Sequence, residues 1–198
     1  MKMNTVIFDL GNVLVKYDWE TFLSSFEFDE TTYRKVADAV FLSDAWQQGD
    51  AGISPEEELR LFIEGAPLYE KEIRMVFERL GECIEKYSYT DRLIRFFREK
   101  GFQVYYLSNY SEDMYMKSKE TLSFIEEFDG GVFSYKEKCI KPDRKLYECL
   151  LERYSILPEQ ALFLDDRKEN VEAARMLGIR GEVFTEDLVK QILGNDSV

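Results

Sequence analysis

The tetrapeptide Thr-Val-Ile-Phe at 5–8 runs directly into Asp9, and the chain then breaks at Gly11-Asn12. A carboxylate at the end of a buried apolar strand is costly unless a cation or hydrogen-bond donors meet it. The pattern recurs. Phe-Gln-Val-Tyr-Tyr-Leu at 102–107 leads into Ser108-Asn109, and Ala-Leu-Phe-Leu at 161–164 leads into Asp165-Asp166. Lys141 precedes a helix start marked by Pro142 and Asp143. In open α/β sheets, ligands bind beyond the carboxyl ends of the strands, so these side chains are expected to converge. Three carboxylates at one edge repel each other unless a divalent cation joins them, and hard oxygen ligands suit Mg²⁺. Ser108, the amides after it and Lys141 supply donors for an anion. Together, an aspartate nucleophile, a magnesium ion, a hydroxyl and a lysine describe phosphoryl transfer through an aspartyl phosphate. The chain contains no histidine, which excludes Ser-His-Asp chemistry and histidine metal sites.

Five short apolar runs, at 5–8, 102–107, 131–134, 161–164 and 181–184, read as strands buried on both faces, the pattern of a parallel sheet. Amphipathic segments separate them. One begins at Thr90, read as an N-cap, and stops at Gly101; another stops at Gly178. Alternating strands and helices predict a doubly wound, Rossmann-like α/β core. A βαβ unit takes roughly 30 residues, yet Asp9 and Ser108 lie much further apart. The surplus shows no convincing strand and reads as helices, with Ser54-Pro55-Glu56-Glu57 as a clear helix start. The expected organisation is therefore a core at 1–15 and 88–198 with a small all-helical cap at 16–87. Trp46, on that insertion before a glycine loop, is either packing or a substrate-contacting residue of the cap.

A length of 198 residues, 45% apolar and 15% aromatic content argue for a folded core. The net charge of −13 weighs against a nucleic-acid partner. No apolar run reaches the roughly 18 residues of a membrane span, and the start of the chain lacks the apolar region of a signal peptide, so a cytoplasmic protein is expected. The three cysteines show no disulfide or zinc spacing. Oligomeric state is not legible.

Taken in order, Asp9, Ser108-Asn109, Lys141-Pro142-Asp143 and Asp165-Asp166-x-x-x-Asn170 resemble the four motifs of the haloacid dehalogenase superfamily of Mg²⁺-dependent hydrolases. The closest flavour is that of the bacterial sugar-phosphate phosphatases that include α-D-glucose-1-phosphate phosphatases. The resemblance implies that Asp9 attacks phosphorus and that Asp9, the Gly11 carbonyl and Asp166 hold Mg²⁺, with Asp165 a direct or water-mediated ligand. Ser108, Asn109 and Lys141 would bind the phosphoryl group, and Asn170 would orient the ligands. The substrate implied is a small anionic phosphorylated metabolite, possibly a sugar 1-phosphate. Phosphatases of this superfamily usually carry a second Asp two residues after the nucleophile, as proton donor; here that position is Gly11. Haloacid or phosphonate hydrolysis, the latter needing a lysine from the cap, and a catalytically weak phospho-ligand-binding regulator are the alternatives.

Overall fold

The computed structural model describes residues 3–194; the outermost residues of the expected core, 1–2 and 195–198, lie outside it. Five strands form a parallel sheet: β1 (Thr5–Phe8), β4 (Gln103–Ser108), β5 (Gly130–Phe133), β6 (Ala161–Asp165) and β7 (Arg180–Val183), in the order β5-β4-β1-β6-β7. All five coincide with the apolar runs. Among the described residues two further strands, β2 (Val15–Tyr17) and β3 (Ile84–Lys86), pair antiparallel.

The sheet is a sandwich filling because side chains alternate along each strand. Val6 and Phe8 belong to one buried cluster with Leu93 and Phe97 of α6 (Thr90–Glu99) and Val189 of α11 (Glu186–Leu193). Ile7 belongs to the opposite cluster, with Leu146 and Leu150 of α9 (Arg144–Arg153) and Ala173 and Ala174 of α10 (Lys168–Met176). Helices therefore cover both faces, as a parallel sheet requires. The strand order reverses direction beside β1, which places a ligand crevice at the carboxyl ends of β1 and β6.

Between β2 and β3 lie α1 (Trp19–Ser24), α2 (Glu30–Ala39), α3 (Asp44–Asp50), α4 (Pro55–Gly65) and α5 (Glu70–Glu78). Ser54 caps α4, its side chain accepting from the Glu57 amide, with Pro55 at the first position. Two expectations need correction here. The surplus segment is not free of strands: Val15–Tyr17 and Ile84–Lys86 form a ribbon that carries the chain out of the core and back. Three paired residues are too few to show a period of two against helical neighbours. Trp46 sits on helix α3, which takes in Gly49 and ends just before the turn at Ala51-Gly52. Thr90 is the first residue of α6 and not its cap; its hydroxyl instead donates to the Leu14 carbonyl at 2.6 Å, tying the helix to the ribbon. Tyr89 does the same to the Val13 carbonyl at 3.0 Å.

The insertion meets the core through α7 (Glu112–Ser118) and α8 (Ser134–Glu137). Glu58 of α4 is 1% exposed at that junction. Burial, then the nearby Asp113 and Asp50 charges, push its carboxyl up to about 8. Because the folded value is raised, the native state keeps a proton that the unfolded chain releases, and stability falls as pH rises from about 4.5 to about 8. Glu58→Gln should flatten that dependence, gaining up to a few kcal/mol over the parent above pH 8 at about 1.4 kcal/mol per pK unit. Urea midpoints measured from pH 5 to 9 test this; parallel curves for the two proteins would refute it.

Candidate active site

Asp9 follows β1 and continues its ladder, its amide donating to the Leu164 carbonyl at 2.9 Å. Its Oδ1 accepts from the Leu10 amide (2.7 Å) and the Ser108 hydroxyl (2.7 Å), and lies 3.0 Å from Lys141 Nζ. Lys141 is buried and donates also to Asp165 Oδ2 (2.7 Å) and the Leu107 carbonyl (2.8 Å). Asn109 holds the Lys141 backbone from both sides: its Oδ1 accepts from the Lys141 amide (2.7 Å) and its Nδ2 donates to the Lys141 carbonyl (3.1 Å). Such pairing keeps a long, flexible cation at one point between two carboxylates. Desolvation lowers the Lys141 pKa, but Asp9 and Asp165 outweigh it and the value is raised. Burial lifts Asp9 to about 6 against the pull of Lys141.

Asp165 is fully buried, and both its oxygens are engaged: Oδ1 by the Arg167 amide (2.9 Å) and Asn170 Nδ2 (3.0 Å), Oδ2 by Asn170 Nδ2 (3.1 Å) and Lys141. Asp166 is freer. Its Oδ2 accepts a long hydrogen bond from Asn12 Nδ2 (3.4 Å), and burial raises its pKa. Asn12 takes φ of 54°, a left-handed conformation that asparagine tolerates, and its Oδ1 also accepts from the Tyr17 amide (3.2 Å).

Asp9, Asp165 and Asp166 each offer an oxygen within 4.8 Å of the others. Against one lysine they leave two negative charges, the charge that a divalent cation brings. Asn170 adds a second sign of fit: its buried Oδ1 has no donor among the described residues, and water on a cation would supply one. The donor set is all oxygen, as Mg²⁺ or Ca²⁺ prefers.

A cavity of about 170 Å³ opens over this cluster. Its polar floor contains Asp9, Gly11, Ser108, Asn109, Lys141 and Asp166, with Asn170 beside them. Trp46 and Tyr17, their rings 5.8 Å apart, form part of the wall. All of the residues singled out in the sequence line this cavity except Asp165, which lies beneath it against Lys141. Among the lining residues missed are Asn12, Tyr17, Asp50 and Arg167. Asn12 had a signal in the Gly11-Asn12 break. Asp50 and Arg167 had none that separates them from surface charges.

The sequence matches the haloacid dehalogenase-like hydrolase family over residues 3–178. The chain belongs to that family. Among relatives of this hydrolase are a sesquiterpene phosphatase of Aspergillus oryzae, 27% identical over 95% of each chain, and a phosphorylated carbohydrates phosphatase of Thermotoga maritima, 25% identical over 89% of this chain and 82% of that one. A haloacid dehalogenase family enzyme of Bacteroides thetaiotaomicron, solved in complex with magnesium and inorganic phosphate, shares the fold of this hydrolase. Its TM-score is 0.74 at 22% identity over 92% of this chain and 94% of that one. No helix among the described residues is long and apolar enough to cross a membrane.

Proposed function

We propose that this hydrolase is a Mg²⁺-dependent phosphatase acting on a small phosphorylated metabolite, a sugar phosphate, through an aspartyl phosphate. The observation that carries the reading is the single carboxylate of Asp9, contacted by Ser108 and Lys141 and grouped with two further carboxylates. A structural aspartate at a strand end would not need a buried lysine, a hydroxyl and a cation site around it. The phosphatase names of two relatives that match most of the chain add support.

In this reading Asp9, the Gly11 carbonyl and Asp166 would hold Mg²⁺, which would supply positive charge for the phosphoryl oxygens. Asp165 acts through water, because both its oxygens are already engaged. Asp9 attacks phosphorus with its free oxygen. Ser108 and the amides beyond β4 bind the transferred group, Asn109 fixes Lys141, and Lys141 neutralises charge on Asp9 and the phosphate. Asn170 keeps Asp165 in place. The helical insertion serves as a cap, with Trp46 and Tyr17 presenting an apolar wall to the part of the substrate that carries no charge. Among the described residues no lysine of the insertion lines the cavity, so phosphonate cleavage finds no support.

Phosphate release from a panel of sugar 1-phosphates, sugar 6-phosphates and terpenyl phosphates, with Mg²⁺ and with chelator, tests this. Mg²⁺-dependent release is expected, with sugar phosphates preferred; release from none overturns the reading. Calorimetric Mg²⁺ titration separates the two neighbouring acids. Asp166→Ala should abolish binding and turnover together, whereas Asp165→Ala should weaken affinity more mildly, within the 10- to 100-fold typical of outer ligands. Unchanged Mg²⁺ binding in Asp166→Ala would remove Asp166 from the cation site.

A further inference from the structure

Position 11 has no side chain, and a Cβ built there would meet nothing within 4 Å. The leaving oxygen therefore has no proton donor on that side of the cavity. The cavity is lined by three carboxylates, those of Asp9, Asp50 and Asp166. Asp9 and Asp166 belong to the nucleophile and the cation site. Asp50 belongs to neither. It is the last residue of α3 and faces the floor from the insertion.

We propose that Asp50 is the general acid and base of the reaction, supplied by the insertion in place of the side chain that position 11 lacks. The inference rests on the phosphatase reading above.

The backbone around Asp50 is held to the core while its carboxyl is left unengaged. The Ser134 hydroxyl donates to the Asp50 carbonyl at 2.6 Å, and Ser134 Oγ accepts from the Tyr110 amide at 2.9 Å, two residues beyond the end of β4. Gly52, with φ of 90°, packs so closely on the Tyr135 carbonyl that any side chain would collide with it. Within the insertion, Gly49 packs against the Glu58 carboxyl of α4. Among the described residues the Asp50 carboxyl makes no hydrogen bond and no ion pair. A segment free to drift would not need these two docking points on the core; a proton donor that must meet one atom does.

The electrostatics favour the role. Burial first, and then the Asp9 charge, push Asp50 up to about 7, while Lys141 and Arg167 pull the other way. The other titratable groups facing it are Tyr17, Tyr110 and Glu58. An acid that titrates near neutral pH can donate a proton and accept one back in the same cycle.

The steps balance. Asp9 attacks phosphorus, the bond from phosphorus to the leaving oxygen breaks, and that oxygen takes its electron pair and the Asp50 proton. The alcohol departs, leaving the aspartyl phosphate and an Asp50 carboxylate. Asp50 then takes a proton from water as the water oxygen attacks phosphorus. The acyl phosphate bond breaks, the pair returns to Asp9, and inorganic phosphate leaves with Asp50 protonated again.

The test compares kcat/KM for phenyl phosphate and p-nitrophenyl phosphate in wild type, Asp50→Asn, and Asp50→Asn combined with Gly11→Asp. Loss of an acid costs about 10²- to 10⁴-fold, and it falls on the poorer leaving group. Asp50→Asn should therefore lose two orders of magnitude or more with phenyl phosphate and much less with p-nitrophenyl phosphate. Its kcat/KM should also lose the alkaline limb near pH 7. Gly11→Asp should restore phenyl phosphate turnover in that background, since its carboxyl enters open space. A loss below threefold with phenyl phosphate, an equal loss with both esters, or failure of the rescue overturns the assignment. A wild-type protein that releases phosphate from neither ester and from no metabolite of the panel would instead remove the phosphatase reading.

Discussion

Asp9→Asn should eliminate turnover, with a loss on the order of 10⁴-fold or more, because in the proposed mechanism the substitution replaces the free oxygen that attacks phosphorus. Few changes of one atom separate chemistry from structure so cleanly. The amide retains the size of the carboxyl and the hydrogen bonds from Leu10 and Ser108. Lys141 keeps its partners Asp165 and the Leu107 carbonyl. Burial already disfavours charge on Asp9, so the neutral replacement should leave the thermal midpoint close to that of the parent. The measurement is phosphate release beside a melting curve, both in Mg²⁺. Appreciable activity in the mutant would end the covalent mechanism; an unfolded mutant would show that Asp9 is structural.

Lys141→Met should be the most damaging single change to stability. The lysine is the one cation between Asp9 and Asp165, and its side chain is 1% exposed. Removing one partner of a buried pair costs about 3–5 kcal/mol, because an uncompensated charge stays behind. For a protein of this size each kcal/mol moves the midpoint by roughly 2–4 °C, so a fall of about 10 °C is expected. The pH dependence has a definite sign. Burial already holds Asp9 above its ordinary value against the pull of Lys141, and losing that pull raises it further, so the penalty is present at high pH and shrinks as Asp9 protonates. Guanidinium titrations in chelator at pH 8 and pH 5 should therefore show a large deficit at the first and a smaller one at the second. Equal stability of mutant and parent at pH 8 would mean that Lys141 contributes only to catalysis.

Most of the floor of the site was legible in the sequence because it consists of strand ends. An apolar run stopping at Asp9, at Ser108 or at Asp165 announces both the element and the residue that emerges from it, and the parallel sheet then brings the ends together. Asp50 was not legible for the opposite reason. It arrives from the insertion, where its place over Asp9 depends on how α3 docks against Ser134 and Tyr135, and nothing in Gly49-Asp50-Ala51-Gly52 distinguishes it from a solvated turn. Arg167 reads equally well as one more surface charge. The ribbon of Val15–Tyr17 and Ile84–Lys86 escaped because its pairing joins segments far apart in the chain, and neither segment is long enough to show its period alone. Thr90 looked like a cap by residue type, yet tertiary contact with Leu14 claimed its hydroxyl.

The central strand also governs how the molecule is born. Thr5 of β1 pairs with Gln103 on one side and Ala161 on the other. At ribosomal rates of about 5–20 residues per second, the second partner emerges roughly ten to thirty seconds after the strand itself. Until Gln103–Ser108 emerges, roughly five to twenty seconds after β1, Thr5–Phe8 has no edge to join, while the helices of the insertion, built on local contacts, are free to form. Asp9, which follows β1, thus waits on strands made long after it before it can reach its place.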